Sequence, residues 1–384
     1  MRDLVVEASY VGNRGVWWTG AGANLGLLQQ VSPATFATYG LNPYASVTDN
    51  QFLSNNASSA AVVQRLGHAI VPYAGFNGTV LQALEAYPQF STAGFFGGAY
   101  SLSNAPTGKT WYDAMQVKGT KRFSHGLQAT ATFTWSKSLI LTREDFWNPS
   151  SSTKTLQTTD QPFLFNTNIV YTIPKLFDNP KVLSYAVRDW QFGAFLQYGS
   201  GFPLTPPSAT IVNTLTAVNG STNYQLRVPG VPLYLKDLNC HCINPYTDQV
   251  LNPAAWTNPA TGQWGGNALY GDFRAARRPQ ENFNIGRNFR MGSEGKYNLQ
   301  IRAEFVNIFN RVYLGVPSTS NPQAPISHNS FGQNTGGFGV INVVVPPHSN
   351  TPPSAPTTVN GSCSSSNALC GFPRTGTLIA RFSF

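Results

Sequence analysis

The group of residues that most resembles a chemical site is a Cys-His-Cys triplet, formed by Cys240, His241 and Cys242. Thiolates and imidazoles bind zinc, but zinc sites usually separate paired cysteines by at least two residues. All four cysteines, which include Cys363 and Cys370, lie in pairs within sequence rich in Pro, Asn and Ser. Such pairs are typical of loop disulfides in an oxidising compartment. We therefore predict no metal site.

The spacing within each pair decides how easily a disulfide can form. Six residues separate Cys363 from Cys370, so a bridge between them closes a small loop without strain. Only His241 separates Cys240 from Cys242, so a bridge there is tight, and the required geometry is harder to reach. The sequence predicts the disulfide Cys363–Cys370 first and Cys240–Cys242 second.

Catalytic patterns are not recognisable in the chain. Its five histidines all fall in predicted loops or turns, and none has a partner at the i, i+4 spacing of a helical metal site. The Gly-rich stretches 94–98 and 336–339 lack the preceding strand and following helix that a phosphate-binding loop needs. Glu144 and Asp145 are adjacent carboxylates of the kind that loops commonly expose to solvent. We predict that the chain is not an enzyme and needs no cofactor.

The composition is unusual for a soluble domain. Charged residues make up 11% of the 384 residues, against roughly 25% in an ordinary soluble domain. Aromatic residues reach 13%, and the net charge is +9. The basic residues are scattered rather than clustered, so no nucleic-acid partner is predicted. No run of about 18 apolar residues predicts a transmembrane helix.

Apolar and polar residues alternate strictly in the segment 126–138, which is typical of a β-strand. The same alternation returns along the chain and predicts eight strands, near residues 3–18, 110–123, 126–138, 162–173, 187–200, 280–291, 295–310 and 374–384. Most have ten or more residues, whereas strands of soluble proteins average about five or six. A strand that crosses a bilayer at a tilt needs about 9–11 residues.

The connections between these strands alternate in length. Tight turns at 123–126 and 291–295 and a moderate connection at 174–187 alternate with very long connections, at 19–110, 139–162, 201–279 and 311–373. Short periplasmic turns and long extracellular loops are typical of transmembrane barrels. We predict an all-β fold: an antiparallel transmembrane β-barrel segment in the bacterial outer membrane. A soluble, secreted all-β protein with large loops is the alternative, and it would bury the same apolar faces in a core.

The barrel prediction gives two sets of candidate functional residues. Polar residues between the apolar positions are expected to face the barrel lumen: Gln128, Thr130, Asn166, Asn168, Gln197, Gln300, Arg302 and Glu304. Arg302 and Glu304 are expected to pair with neighbouring strands or with a domain inside the barrel. Aromatic residues of the long connections are candidates for stacking on a ligand: Phe95, Phe96, Trp256, Trp264 and Tyr270. Local cores within the loops would use such aromatic residues equally well.

Several stretches, taken in their order along the chain, resemble the C-terminal half of a TonB-dependent outer-membrane receptor of the Oar-like type. Receptors of this type carry a carboxypeptidase-regulatory-like domain. The stretches are 9–15, 87–91, 112–118, 121–126, 133–138, 190–201 with Pro203, 298–310 and 378–384. The last stretch is similar to the terminal strand that the barrel-assembly machinery reads, which implies a signal role for Phe382 and Phe384.

The resemblance implies a receptor with further domains before the barrel. Members of this family begin with a signal peptide, a regulatory-like or immunoglobulin-like module, a TonB box and a plug domain, followed by a barrel of about 22 strands. None of these N-terminal parts is recognisable here, so residues 1–384 are expected to form a partial barrel that does not transport on its own. The implied partners are outer-membrane lipid, the assembly machinery, a plug, TonB and an extracellular ligand such as an oligosaccharide or peptide. A small, self-closing barrel that binds surfaces is the second hypothesis.

Overall fold

We describe a computed structural model of the chain. It covers residues 3–18, 31–90, 108–141, 154–174, 189–209, 223–260, 263, 265–266, 268–291, 297–311, 314–330, 332–341 and 374–383.

Thirteen strands are present in these ranges: β1 Leu4–Trp18, β2 Gly108–Ser124, β3 Leu127–Leu141, β4 Lys154–Leu156, β5 Phe163–Thr172, β6 Trp190–Gly199, β7 Leu226–Arg227, β8 Trp256–Thr257, β9 Gln280–Met291, β10 Tyr297–Val306, β11 Ser327–His328, β12 Asn334–Gly336 and β13 Thr375–Ser383. The eight long ones are those that the alternation predicts. Ten residues at about 3.3 Å each, tilted by about 40°, span roughly 25 Å, which is the height of the apolar band of a membrane barrel.

The long strands form a single antiparallel sheet with the order β1-β2-β3-β5-β6-β9-β10-β13, and β4 adds to the end of β3. Each long strand therefore pairs with its neighbour in the sequence. The sheet has two ends, because the described parts of β1 and β13 each pair on one side only. The shorter pairs β7–β8 and β11–β12 lie outside this sheet.

The turn between β2 and β3 shows why the sequence changes direction there. His125 and Gly126 both have positive φ, 53° and 81°, the backbone conformation of a tight hairpin turn. Gly126 is required for a second reason, since an added Cβ would lie 2.1 Å from the carbonyl oxygen of Thr172. The turn is therefore packed against the end of β5 as well as bent.

The strand β10 ends earlier than the alternation predicts, at Val306 instead of residue 310. Asn307 and Asn310 have positive φ, 52° and 49°, which a strand cannot contain. The Asn307 side chain stabilises the turn, because its oxygen accepts the N–H of Arg311 and its nitrogen donates to the Arg311 carbonyl, at 2.8 and 3.0 Å.

Four short helices lie in the first long connection, where the alternation predicts no regular structure: α1 Pro33–Thr38, α2 Val47–Phe52, α3 Ala60–Leu66 and α4 Val80–Leu84. The starts of α1, α2 and α4 are capped by side chains. Ser32 and Ser46 each accept a backbone N–H, and Thr79 forms a reciprocal capping box with Gln82.

Residues 31–90, which we call the helical module, have their own core. Its buried members are Val31, Phe36, Leu41, Phe52, Leu53, Ala57, Val62, Ile70, Phe76, Val80 and Ala83. Such a core stabilises helices that are too short to persist alone in water. None of the helices in the described ranges combines the length and hydropathy needed to cross a bilayer.

A second core joins two long connections that are far apart in sequence. Its buried residues are Leu204, Leu233, Val250, Leu251, Ala255, Trp256, Phe273, Phe338 and Ile341. They come from the connection after β6 and from the connection after β10, so these two segments fold together. We call this unit the loop assembly.

Candidate functional site

The strand register places all eight predicted lumen residues on one face of the sheet. Residues directly opposite each other in neighbouring strands share a face. Thr130 is opposite Asn168, and Asn166 is opposite Gln197. The remaining members follow through the same pairs: Gln128, Gln300, Arg302 and Glu304. We call this surface the polar face.

The opposite surface, which we call the apolar face, leaves large hydrophobic side chains exposed. Examples from four different strands are Tyr10 at 70%, Trp135 at 57%, Phe163 at 51% and Leu378 at 76% exposure. No element in the described ranges covers these four side chains. Soluble monomers rarely expose a continuous apolar surface that extends over several strands. It therefore needs an apolar medium around it.

Aromatic side chains of the apolar face gather at both ends of the strands. Tyr10, Trp135 and Phe163 lie at one level of β1, β3 and β5, where β5 begins after a long connection. Tyr297 and Phe382 lie at the opposite end, with their rings stacked at a centroid distance of 6.1 Å. Two aromatic girdles are what the two interfaces of a membrane require.

On the polar face, Arg302 and Glu304 pair with each other. Their Nη2 and Oε1 atoms are 2.5 Å apart, and the side chains are 38% and 41% exposed. The expectation that they pair with neighbouring strands is therefore wrong for this ion pair, because a spacing of two residues on one strand brings both side chains to the same face. Contact with a domain inside the barrel remains a prediction. Exposed pairs contribute little to stability.

Some polar atoms of this face have no partner within the described residues. Asn166 Oδ1 and Arg302 Nε are buried, and neither makes a hydrogen bond there. A buried polar atom without a partner costs about 1–3 kcal/mol. The polar face can therefore offer hydrogen bonds to a further group placed against it.

A buried ion pair connects the sheet with the loop assembly. Arg274 Nη2 lies 2.6 Å from Asp160 Oδ2, and the Asp160 side chain is 1% exposed. Arg274 also donates to the carbonyls of Asp160 and Gly201, at 2.9 and 3.0 Å. The other oxygen of Asp160 accepts the N–H of Ser138 at the end of β3. One guanidinium thus holds three segments together.

Two further groups stabilise the loop assembly next to this pair. The Arg274 N–H donates to Tyr234 Oη, and the Tyr234 hydroxyl donates to the Arg274 carbonyl at 2.8 Å. Burial raises the pKa of Tyr234. Lys236 donates to Asp248 Oδ2 at 2.7 Å, and this hydrogen bond lowers the pKa of the Asp248 carboxyl. The loop assembly is therefore held by polar contacts as well as by its apolar core.

A second buried carboxylate lies where the strands end. Glu281, at 1% exposure, accepts two hydrogen bonds from the Arg311 guanidinium, at 2.5 and 2.8 Å. The Tyr198 hydroxyl donates to the same carboxylate at 3.0 Å. These contacts join the ends of β6 and β9 to the segment after β10.

The comparison with known families decides the class of the chain. Residues 1–342 match the model of a family described as the outer membrane beta barrel domain. The chain belongs to this family. No curated protein matches the chain significantly. The barrel domain therefore lies in the bacterial outer membrane, and its all-β, antiparallel fold is as predicted. The soluble alternative is wrong, because the apolar face of the barrel domain is exposed rather than buried in a core.

The loop aromatics of the barrel domain do not all remain candidates for ligand contact. Trp256 is wrong as a candidate: it is 3% exposed and packs on Phe273 and Tyr270, at centroid distances of 5.1 and 5.9 Å. Tyr270 is half-buried against the same core, and burial raises its pKa. The ring of Trp256 is therefore used to hold the loop assembly together. Phe95, Phe96 and Trp264 lie outside the described residues.

The structure joins Cys240 and Cys242 by a disulfide, with a Cα–Cα distance of 5.1 Å. This distance is within the usual range for a disulfide. The intervening His241 takes a positive φ of 53°, which turns the chain tightly enough. Cys363 and Cys370 lie outside the described residues. Among the residues that the structure describes, no group of His, Cys, Asp and Glu is arranged to hold a metal ion.

The end of β13 carries the predicted assembly signal. Phe382 is on the apolar face, opposite Leu299, and is 54% exposed. Phe384 lies outside the described residues. Recognition by the assembly machinery remains a prediction.

Sequence reasoning missed two residues that organise the extracellular end, Asp160 and Glu281. Asp160 is the single charged residue of the segment 155–174, and Glu281 is the single carboxylate of the segment 273–293; each lies next to a strand end. That isolation is the signal that could have singled them out, because a lone buried carboxylate requires a cation.

Proposed function

We propose that the chain forms part of the barrel of a TonB-dependent receptor, which takes up an organic ligand such as an oligosaccharide or a peptide. The observation that carries this proposal is the open sheet. Its edge strands β1 and β13 each pair on one side only within the described residues. Open sheet edges do not persist in the hydrocarbon region of a bilayer. Further strands must therefore complete the barrel.

A small barrel closed by the eight long strands is less well supported. Eight strands are enough to close a narrow barrel, but closure needs pairing between β1 and β13. The described residues of these strands contain no such pairing. A wide barrel with additional strands agrees better with the open order, and wide barrels hold a plug domain in their lumen.

The polar face supports the presence of a domain inside the barrel. It carries amide, hydroxyl and charged side chains along all eight strands, and the buried Asn166 Oδ1 and Arg302 Nε have no partner within the described residues. A plug domain would supply such partners and would also couple the barrel to TonB. On this proposal the chain alone does not import its ligand.

The first experiment tests the plug contact. A photo-crosslinking amino acid is placed at Asn166 of the full-length receptor, and the cross-linked peptides are identified by mass spectrometry. We expect cross-links to a domain that precedes the barrel. Thr167 is the matched control, because the next residue of β5 is on the opposite face, between Ala131 and Leu196. Equal cross-linking of that domain from both positions would contradict the proposal.

The second experiment tests energised uptake. Cells that express the full-length receptor are given a panel of fluorescent oligosaccharides and peptides, with and without a functional TonB. We expect accumulation of at least one probe to require TonB, while its binding to the cell surface does not. Accumulation that is unchanged without TonB would leave a passive or purely adhesive barrel as the better explanation.

A further inference from the structure

A cavity of about 630 Å³ lies at the extracellular ends of β6, β9 and β10. It is formed where these strands meet the loop assembly. Six of its lining residues determine its charge and its apolar surface: Tyr198, Arg277, Arg278, Phe309, Arg311 and Leu314. Three of the six are arginines, and the other three present aromatic or aliphatic surface. The cavity is therefore both cationic and apolar.

Two of the three positive charges of this cavity are not balanced by a carboxylate within the described residues. Arg311 is paired with the buried Glu281. Arg277 and Arg278 form no ion pair within the described residues. The guanidinium of Arg278 makes one long hydrogen bond, 3.4 Å from Nη2 to the Leu314 carbonyl oxygen. Burial lowers the pKa of Arg278, so an anion close to it would relieve the cost of holding this charge away from water.

The position of the cavity indicates where such an anion would come from. Tyr198 lies on the apolar face, opposite Phe165, and is 40% exposed. Phe309 is 65% exposed. Both rings therefore stand at the level where the lipid-facing surface ends and the extracellular loops begin. A ligand that contacts both these rings and the arginines would therefore be amphiphilic, with an apolar part in the membrane and an anionic head group above it.

The chemistry of the arginines favours phosphate as the anionic group. A guanidinium presents parallel N–H donors, which match the oxygens of a phosphate in a bidentate arrangement. Arg277 and Arg278 line the same cavity, and their guanidinium groups together provide enough donors for a phosphate monoester with its double negative charge. A neutral sugar would leave that charge uncompensated.

We propose that this cavity binds the phosphate of an anionic glycolipid in the outer leaflet, with Arg277 and Arg278 holding the phosphate and Tyr198 and Phe309 contacting the acyl or sugar portion. The bound lipid would fix the loop assembly to the membrane surface. This site is separate from the polar face and from ligand uptake.

The test uses the full-length protein in nanodiscs of zwitterionic phosphatidylcholine, with a bis-phosphorylated glycolipid added and binding followed by native mass spectrometry. We expect the double variant Arg277→Gln/Arg278→Gln to bind the glycolipid at least about tenfold more weakly, since charge-assisted hydrogen bonds are lost. Arg290→Gln is the matched control, because it removes an arginine from the other end of β9. It should change the affinity by less than about twofold, given its distance.

Two further probes distinguish the sources of the phosphate. The dephosphorylated glycolipid should bind as weakly to the natural protein as the phosphorylated lipid binds to the double variant. Inorganic phosphate should compete only at far higher concentration. Equal binding of the two glycolipids would overturn the proposal, as would inorganic phosphate that binds as tightly as the lipid.

A conservative variant keeps the test valid if the double variant folds poorly. Arg278→Lys retains the charge but loses the bidentate donors, so its affinity should lie between those of the natural protein and the double variant. Phe309→Ser removes an exposed ring whose centroid lies 5.7 Å from the Arg311 guanidinium carbon, and it leaves Arg277 and Arg278 in place. It should weaken lipid binding without changing competition by inorganic phosphate. Natural affinity in both variants would overturn the proposal.

Discussion

Arg274 and Asp160 form a buried ion pair across 114 residues of sequence, with 2.6 Å between Nη2 and Oδ2. Asp160 lies between β4 and β5, and Arg274 lies in the connection before β9. The pair therefore sets how the loop assembly sits on the ends of the strands. Breaking it should affect the extracellular loops more than the sheet.

The first prediction concerns this pair. Arg274→Gln should destabilise the loop assembly by about 3–5 kcal/mol, because it leaves a buried carboxylate without a cation. Hydrogen exchange of residues 223–260 should rise, while exchange in β3 and β5 stays unchanged. The double variant Arg274→Gln/Asp160→Asn should recover part of the loss.

An exposed pair in the same loop assembly is the control for that prediction. Arg227 pairs with Asp272 at 2.8 Å, but the side chains are 37% and 58% exposed. Arg227→Gln should therefore cost about 0–1 kcal/mol. If the two arginine variants had equal effects, burial of the pair would not be what stabilises the loops.

The second prediction concerns the two faces of the sheet. Ala131 is on the apolar face, opposite Gly119 and Thr167, so Ala131→Arg should lower the free energy of unfolding by about 2–4 kcal/mol at mid-membrane. Thr130→Arg, one residue away on the polar face, should cost much less. Unfolding by urea in lipid vesicles measures both, and equal costs would contradict a lipid-facing surface.

The eight strands and the two faces could be predicted because β structure repeats every two residues. In the segment Leu127 to Trp135, each apolar residue is followed by a polar one, and this local rule needs no knowledge of the partner strand. The register follows from the same rule, since a shift by one residue would place Gln128 and Thr130 on the lipid side.

The loop assembly and the helical module could not be predicted in the same way. Gln225 and Gln323 bond to each other over 98 residues of sequence, and Trp256 is buried in a core that also contains Phe338 from another connection. Such contacts leave no periodic pattern. The sequence showed aromatic residues in the loops, and only the structure distinguishes a core position such as Trp256 from a surface that binds a ligand.

The third prediction concerns Cys240 and Cys242, which lie in an extracellular connection and are bonded to each other. A membrane-impermeant maleimide should label neither cysteine on intact cells, and should label both after treatment with a reductant. Since the bridge spans only two residues of sequence separation, its loss should loosen the adjacent turn at His241 and leave the strands intact. Circular dichroism should therefore be unchanged. Labelling without reductant would contradict the disulfide.

The fourth prediction uses Glu85, which follows α4 in the helical module. Burial raises its pKa from 4.5 to about 7, and its buried Oε2 has no hydrogen-bond partner within the described residues. Because the folded pKa is above the unfolded one, the stability that depends on Glu85 should be fully present below pH 4.5 and be lost as the pH rises through about 7. Glu85→Gln should remove this pH dependence and stabilise the module at pH 8, as measured by hydrogen exchange of residues 31–90. Asp272→Asn, which changes an exposed carboxylate outside the module, should keep the natural pH dependence. Exchange is compared with the intrinsic amide rate at each pH, and a module whose protection in the Glu85→Gln protein still falls between pH 5 and 8 would show that another group is responsible.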